Sequence, residues 1–341
     1  MLKDLLIGGL HAVSAYIPFS FLQFCSRQYC LPIFYHTVSN QPLTHIKHLY
    51  QVRDVPTFEQ DLDYLLAHYT PIDLSAFIAH IYEQKPLPKQ SFLLTFDDGL
   101  AECATVVAPI LQQKGIPATF FINSDFVDNK ALMFRYKASL LIDLLSDNTK
   151  VQQALVKGQL AKYQLPFKGI KQSLLAVCWP QQAVLDDLAK ALDYCFDEFL
   201  EQEQPYMTAS QIQQLLDQGF DIGGHSQNHP TYNLLPLAQQ LAQTLQCQQV
   251  LEQQFELPHR VFAFPFTDYG VSQAFFEQIL QQEQFQLTFG GAGLKKERIK
   301  GQIQRFGVET QQLTPLRTTL ATEYCYFLIK AIFGKNTIRR T

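Results

Sequence analysis

Three short segments carry side chains that could do chemistry together. Asp97-Asp98-Gly99 offers paired carboxylates, His225-Ser226-x-x-His229 offers two imidazoles four residues apart, and His36 stands alone after LPIFY. That spacing lets one helical turn or a tight loop aim both His225 and His229 at one point. Two imidazoles and one carboxylate form an N₂O set with open positions, which suits a catalytic divalent metal better than a structural one. Adjacent aspartates point in different directions, so one can be a ligand while its neighbour faces a water. Water at such a centre has its pKa lowered toward about 7, within reach of a carboxylate base. The chemistry indicated is metal-assisted hydrolysis. Taken singly, each motif has a bland explanation. Asp-Asp-Gly forms turns, and H-x-x-x-H in a loop is non-specific. Helical H-E-x-x-H chemistry does not fit, because Ser226 holds the glutamate's place.

What joins the three segments is their position at the ends of apolar runs. Strands are expected at 31–36, 91–96, 117–123, 219–224, 261–266, 285–291 and 303–309. They show little alternation, as in parallel strands covered on both faces. His36, Asp97-Asp98 and His225 each follow one of these runs. In α/β barrels the loops after the strands converge on one edge, where active sites lie. Helical patterns fall between the runs: a stripe of Phe58, Leu62, Leu65, Leu66 and Tyr69 opened by a Thr57/Gln60 capping box, then 101–114, 236–255 and 272–282. The expected fold is α/β, a distorted (β/α)7-type barrel with a helical insertion at 124–218, an interval too long for a βα loop. The insertion is expected beside the mouth of the site or as a scaffold on the barrel's flank.

The organisation expected is an apolar helical segment at 1–30, the barrel at 31–310, and a helix with a basic tail at 311–341. The chain has 341 residues, 47% hydrophobic and 17% charged, with net charge −4. That composition excludes a disordered chain and argues against a nucleic-acid partner. Seven cysteines with no C-x-x-C imply reduced thiols rather than disulfides or a zinc ribbon. Residues 5–25 carry no full charge and are long enough to cross a bilayer, but polar residues dilute them and no small-residue cleavage site follows. They read either as a helix docked on the domain or membrane surface, or as an anchor or poor signal. The expected location is cytoplasmic or membrane-associated rather than secreted with a cleaved signal. For the tail with Lys335, Arg339 and Arg340, the alternatives are contact with anionic lipid and a solvated chain end.

LTFDDG (94–99), GIPATFFI (115–122), DIGGHSQNH (221–229) and FAFPF (262–266) resemble the polysaccharide deacetylase family, the NodB-homology or carbohydrate esterase family 4 enzymes. PIFYHTV and IQRFGVE extend the likeness over about residues 31–310, apart from the insertion. The resemblance implies Asp97 as general base, Asp98, His225 and His229 as metal ligands, and Ser226 as a loop-positioning residue. It also implies oxyanion and substrate contacts at Pro265 and the Phe266 N–H, on the loop that carries Asp268. Zinc is the expected metal, with cobalt, nickel or iron as alternatives. The expected substrate is a glycan or glycolipid bearing an N-acetylated sugar.

Departures from the family pattern are informative. Ala263 stands where the family carries an arginine, Thr267-Asp268 lengthens the following loop, and no histidine follows His259 to serve as the late general acid. Tyr35-His36 resembles the arrangement in poly-N-acetylglucosamine deacetylases, where an early histidine takes that role. Of nine histidines, only His36 combines this precedent with a strand end not already assigned to metal. Its other reading is a structural histidine. Rival functions are a catalytically silent glycan-binding protein and a hydrolase of small or cyclic amides on the same barrel.

Overall fold

The computed structural model describes residues 10, 14, 16–309 and 314–340. Strands β1 (Cys30–Tyr35), β2 (Thr70–Pro71), β3 (Ser91–Phe96), β4 (Ala118–Ile122), β5 (Asp221–Gly224), β6 (Val261–Ala263), β7 (Leu287–Gly290), β8 (Gln302–Gln304) and β9 (Phe306–Gly307) pair only in parallel, in the order β8-β7-β6-β5-β4-β3-β1-β9, with β2 beside β3. The run expected at 303–309 is split by Arg305. Its first half pairs with β7 and its second with β1. One segment therefore closes the sheet into a barrel. Arg305 N–H still donates to the Gly290 carbonyl across the break, and Val308 N–H to that of Phe34.

The strand expected over 261–266 ends at Ala263, because Pro265 has no N–H to continue the ladder. The helix Val55–His68 also begins earlier than the Thr57/Gln60 box implied. Asp54 caps it, its carboxylate accepting from the Thr57 N–H at 2.9 Å, with Pro56 in the first turn. The helix at 101–114 is π-helical over Cys103–Val107, then α-helical to Lys114, and ends on left-handed Gly115.

Alternation along the strands sorts the core into two layers. Ile33, Tyr35, Leu94, Phe96, Phe120 and Ile122 are buried between the barrel and its helices, while Leu93, Phe121, Val261 and Phe289 belong to a separate inner cluster. Gly223 on β5 makes room for one of these, since a Cβ there would lie 2.6 Å from the Phe121 ring. Residues 124–218 form a helical excursion with its own apolar core, including Leu141, Val156, Leu174 and Leu185. The helix Phe19–Ser26 packs on the helix Leu316–Ile332, with Phe19 edge-on to Tyr324 at 5.5 Å. Residues 5–9, 11–13 and 15 of the N-terminal run lie outside the described residues. Among those described, no helix is long and apolar enough to cross a membrane.

Candidate active site

His36, Asp97-Asp98, His225 and His229 follow the C-terminal ends of β1, β3 and β5, and they line one cavity of about 430 Å³. The strand hydrogen bonding continues into these loops: Asp97 N–H donates to the Tyr35 carbonyl and His225 N–H to that of Ile122. Beyond this point the backbone turns sharply. Asp98 (φ 73°), Ser226 (φ 69°), His229 (φ 61°) and Phe266 (φ 57°) all adopt the left-handed region. Each such residue costs about 1–3 kcal/mol when it is not glycine. The loop that carries the histidines is braced internally. Ser226 Oγ accepts from the His229 N–H at 3.0 Å and from Asn123 Nδ2 at 3.3 Å.

Asp98 Oδ1 lies 3.1 Å from His229 Nε2 and 3.4 Å from His225 Nε2. All three side chains are buried, and one ligand atom of each lies within 4.8 Å of the others. His225 Nδ1 sits 2.8 Å from the Ala263 carbonyl. A carbonyl only accepts, so Nδ1 carries the proton and Nε2 turns its lone pair to the cavity. Asp98 Oδ2 accepts from the Tyr136 hydroxyl at 2.8 Å, while Oδ1 is buried with no hydrogen-bond donor among the described residues. A buried carboxylate oxygen left this way is costly unless a cation meets it. The donor set fits a divalent cation held by Asp98, His225 and His229.

Asp97 is held differently. Both of its oxygens accept from Arg305, NH1 to Oδ1 and NH2 to Oδ2, each at 2.7 Å. Arg305 NH1 also donates to Thr95 Oγ1, and the guanidinium lies over Phe34 at 4.6 Å and Phe121 at 5.2 Å inside the barrel. Burial alone would raise the Asp97 pKa. The Arg305 charge, with His225 and the Arg305 hydrogen bonds, outweighs it and holds the carboxyl below its ordinary value. The guanidinium beside Asp97 is thus supplied from the break between β8 and β9. Sequence reading missed Arg305 because, although IQRFGVE contains it, no local pattern links it to Asp97, 208 positions away.

His36 Nδ1 lies 2.6 Å from Glu309 Oε2, and Glu309 Oε1 accepts the His36 N–H at 2.7 Å. The imidazole stacks on Tyr50 with ring centroids 4.8 Å apart. Burial lowers the His36 pKa, but Glu309 by charge and hydrogen bond, helped by Asp98 and Asp97, raises it overall to about 9. Glu309 was also unread in the sequence, although IQRFGVE contains it. Neighbouring Tyr35 faces the other way, into the layer beneath the helices, with its hydroxyl 3.2 Å from Asp61 Oδ2.

The remaining expectations divide. Phe266 lines the cavity, its ring edge-on to His229 at 4.5 Å, whereas Pro265 is buried behind it. Asp268, expected near substrate, faces away from the histidines. Its Oδ2 accepts from Gln302 Nε2 at 2.9 Å, Gln304 Nε2 at 2.6 Å and Arg340. Gly290 permits this, because a Cβ there would lie 2.5 Å from the Asp268 carboxylate. The insertion supplies Met133, Arg135, Lys171 and Leu175 to the cavity wall, besides Tyr136 behind Asp98.

The polysaccharide deacetylase family matches residues 84–282, more than half of the chain. The chain belongs to that family. It is therefore a hydrolase acting on N-acetyl amide bonds of sugars. No curated protein matches this deacetylase in sequence. Among solved structures it is similar to IcaB from Ammonifex degensii, with 16% identity and a TM-score of 0.53 over 87% of this chain and 96% of that one. The Streptococcus pyogenes deacetylase PplD is 12% identical, with a TM-score of 0.55 over 86% of this chain and 98% of that one. BC0361, a polysaccharide deacetylase from Bacillus cereus, is 13% identical, with a TM-score of 0.51 over 86% of this chain and 69% of that one. At such identities the likeness concerns the fold.

Proposed function

We propose that this deacetylase is metal-dependent and removes acetate from an N-acetylated hexosamine in a polysaccharide or glycolipid. The observation that carries the reading is the sharing of one cavity by the Asp98-His225-His229 set, Arg305-held Asp97 and Glu309-held His36. A divalent cation held by the first set, with zinc the first expectation, supplies Lewis-acid polarisation of the acetamide carbonyl. Arg305 keeps Asp97 ionised and fixes its plane, and the carboxylate's remaining lone pairs take a proton from the water that attacks the carbonyl carbon. The Phe266 N–H is the donor to the developing oxyanion. As the C–N bond breaks, its electron pair stays on nitrogen, and the imidazolium of His36 donates the proton that nitrogen needs. Acetate and a free amine leave. The His36–Glu309 pair supports placing the chain with the deacetylases that use an early histidine.

The test is acetate release and amine appearance from acetylated hexosamine oligomers, followed beside a binding titration of the metal-loaded protein. Release that disappears on chelation and returns with metal supports the reading. Binding without release overturns it in favour of a silent glycan-binding protein, and release from small amides alone moves the substrate class.

The location proposed is the membrane surface. The helix Phe19–Ser26 buries Phe19 and Leu22 yet leaves Phe21 57% and Phe24 81% exposed. Such an apolar outer face is one that a lipid interface would cover. Vesicle co-sedimentation that survives Phe21→Ser/Phe24→Ser would overturn that assignment.

A further inference from the structure

A second and larger cleft, of about 1160 Å³, opens beside the catalytic cavity. Phe34 and Gly291 line both spaces, and one loop serves both, with Phe266 on the catalytic side and Thr267 to Gly270 on the other. The far wall is the end of the helix Leu316–Ile332 and the tail that follows. That tail is pinned: Thr337 bridges to Lys296, and Arg340 reaches Asp268 and Glu297. The lengthened loop thus has a purpose away from the reacting atoms, because its Asp268 clamps the tail that builds the cleft.

The charge of this cleft is unbalanced. Five basic and two acidic side chains line it. Asp268 is spent on Arg340, and Glu323 accepts the Leu294 N–H at 3.1 Å. Lys295, Lys330, Lys335 and Arg339 have no ion-pair partner among the described residues. Lys330 Nζ sits 3.8 Å from the Tyr326 ring centroid, and Tyr269 and Phe333 are 76% and 69% exposed at the rim. Burial, and then the Lys330 charge, lowers the Lys295 pKa against the opposing pull of Tyr326, Asp268 and Glu323. Two ammonium groups that repel one another inside a concave wall are relieved by a multiply charged anion. Lysines act as point charges on phosphate, and the aromatic faces suit a sugar ring.

We propose that this cleft binds a phosphate group carried by the substrate, so that the sugar deacetylated in the adjoining cavity belongs to a phosphorylated or diphosphate-linked amino-sugar glycan. The assignment rests on the deacetylase reading above and sharpens its substrate class. A neutral glycan would leave the four cations facing water.

The experiment compares two acetylated hexosamine oligomers that differ only in a phosphate monoester, using the metal-loaded full chain. A parallel calorimetric titration with inorganic pyrophosphate reads the cleft without turnover. The expected result is at least a tenfold preference in kcat/KM for the phosphorylated oligomer. Lys295→Gln/Lys330→Gln should abolish the preference and weaken pyrophosphate tenfold or more, while turnover of the neutral oligomer is unchanged. Lys295→Arg/Lys330→Arg, which keeps the charge, should restore both, separating charge from folding. Equal kcat/KM for the two oligomers overturns the cleft assignment and leaves the deacetylase reading standing. If neither oligomer is turned over, the deacetylase reading fails, and pyrophosphate binding that is indifferent to the double substitution overturns the cleft as well. Displacement of pyrophosphate by phosphatidylglycerol vesicles, without preference for the phosphorylated sugar, overturns the substrate assignment in favour of a lipid headgroup.

Discussion

Two buried aspartate–arginine pairs sit on loops at the same end of the barrel, Asp97 with Arg305 and Asp268 with Arg340. Their carboxylates are equally hidden, at 3% and 1% exposure. Around Asp268 two glutamine amides and a guanidinium all meet one oxygen, Oδ2, from the side away from the histidines. Among the described residues only Arg305 donates to the Asp97 carboxylate, and beside it Asp98 Oδ1 has no donor. Burying charge and pairing it does not make a site. Leaving defined lone pairs turned toward a cavity does, because that incompletely satisfied polarity is what a cation, a water or a substrate can complete.

The strongest way to break this contrast is to remove the open set. Asp98→Ala or His225→Ala should lose most bound metal, measured by elemental analysis, together with nearly all turnover. Asp97→Asn should keep the metal and lose about 10²–10⁴-fold in kcat, the range for a general base. Equal metal loss in Asp97→Asn and Asp98→Asn would end the division of labour between them. Asp268→Asn, on the closed side, should leave metal content and turnover of a neutral substrate unchanged.

The arginines sharpen the comparison. Arg305→Met and Arg340→Met each strand a buried carboxylate, which costs roughly 3–5 kcal/mol in urea unfolding. Only Arg305→Met should also cut kcat in the folded fraction, because only Arg305 holds the base of the proposed reaction. An equal kcat loss in both would show that the two pairs do the same job.

The third test concerns His36, whose proposed acid role needs a proton. Glu309, with Asp98 and Asp97 beyond it, raises its pKa to about 9 against the effect of burial. Activity should therefore persist below that value and fall as pH rises through it. The stability gained from this pair is likewise complete below about 6.5, the ordinary histidine value. It is lost as pH climbs through about 9. In Glu309→Gln the alkaline limb of the pH–rate profile should move down toward or below the ordinary histidine value, with metal content intact. An unmoved limb assigns it to another group. His36→Ala should slow amides far more than an ester, whose alkoxide leaves with less protonic help.

The smallest effect expected is from Gln304→Leu, which removes one donor of three from Asp268 and should cost about 1–2 kcal/mol in unfolding. Turnover of a neutral acetylated oligomer should not change.

Much of this was legible in the chain. Asp97, Asp98, His225 and His229 could be grouped because each follows an apolar run, and parallel strands deliver such residues to one edge. The partners that set their chemistry could not be grouped. Arg305, Glu309 and Tyr136 reach the site from the closing strand, the loop after it and the insertion, and no local pattern reports contacts over such separations. Asp268 was misplaced for the same reason. Its sequence neighbours are site residues, while its partners lie more than thirty positions downstream. The Asp54 cap was overlooked because Thr57 and Gln60 mimic a capping box, and Pro56 in the first turn was the clue that helix geometry begins sooner.

The segment that shuts the barrel also carries the guanidinium that secures Asp97. A ribosome makes that segment after Asp97, Asp98, His225 and His229. Until it docks between β7 and β1, the nascent protein holds Asp97 without the guanidinium that pairs with it. The pairing of Asp97 thus arrives in the same event as topological completion.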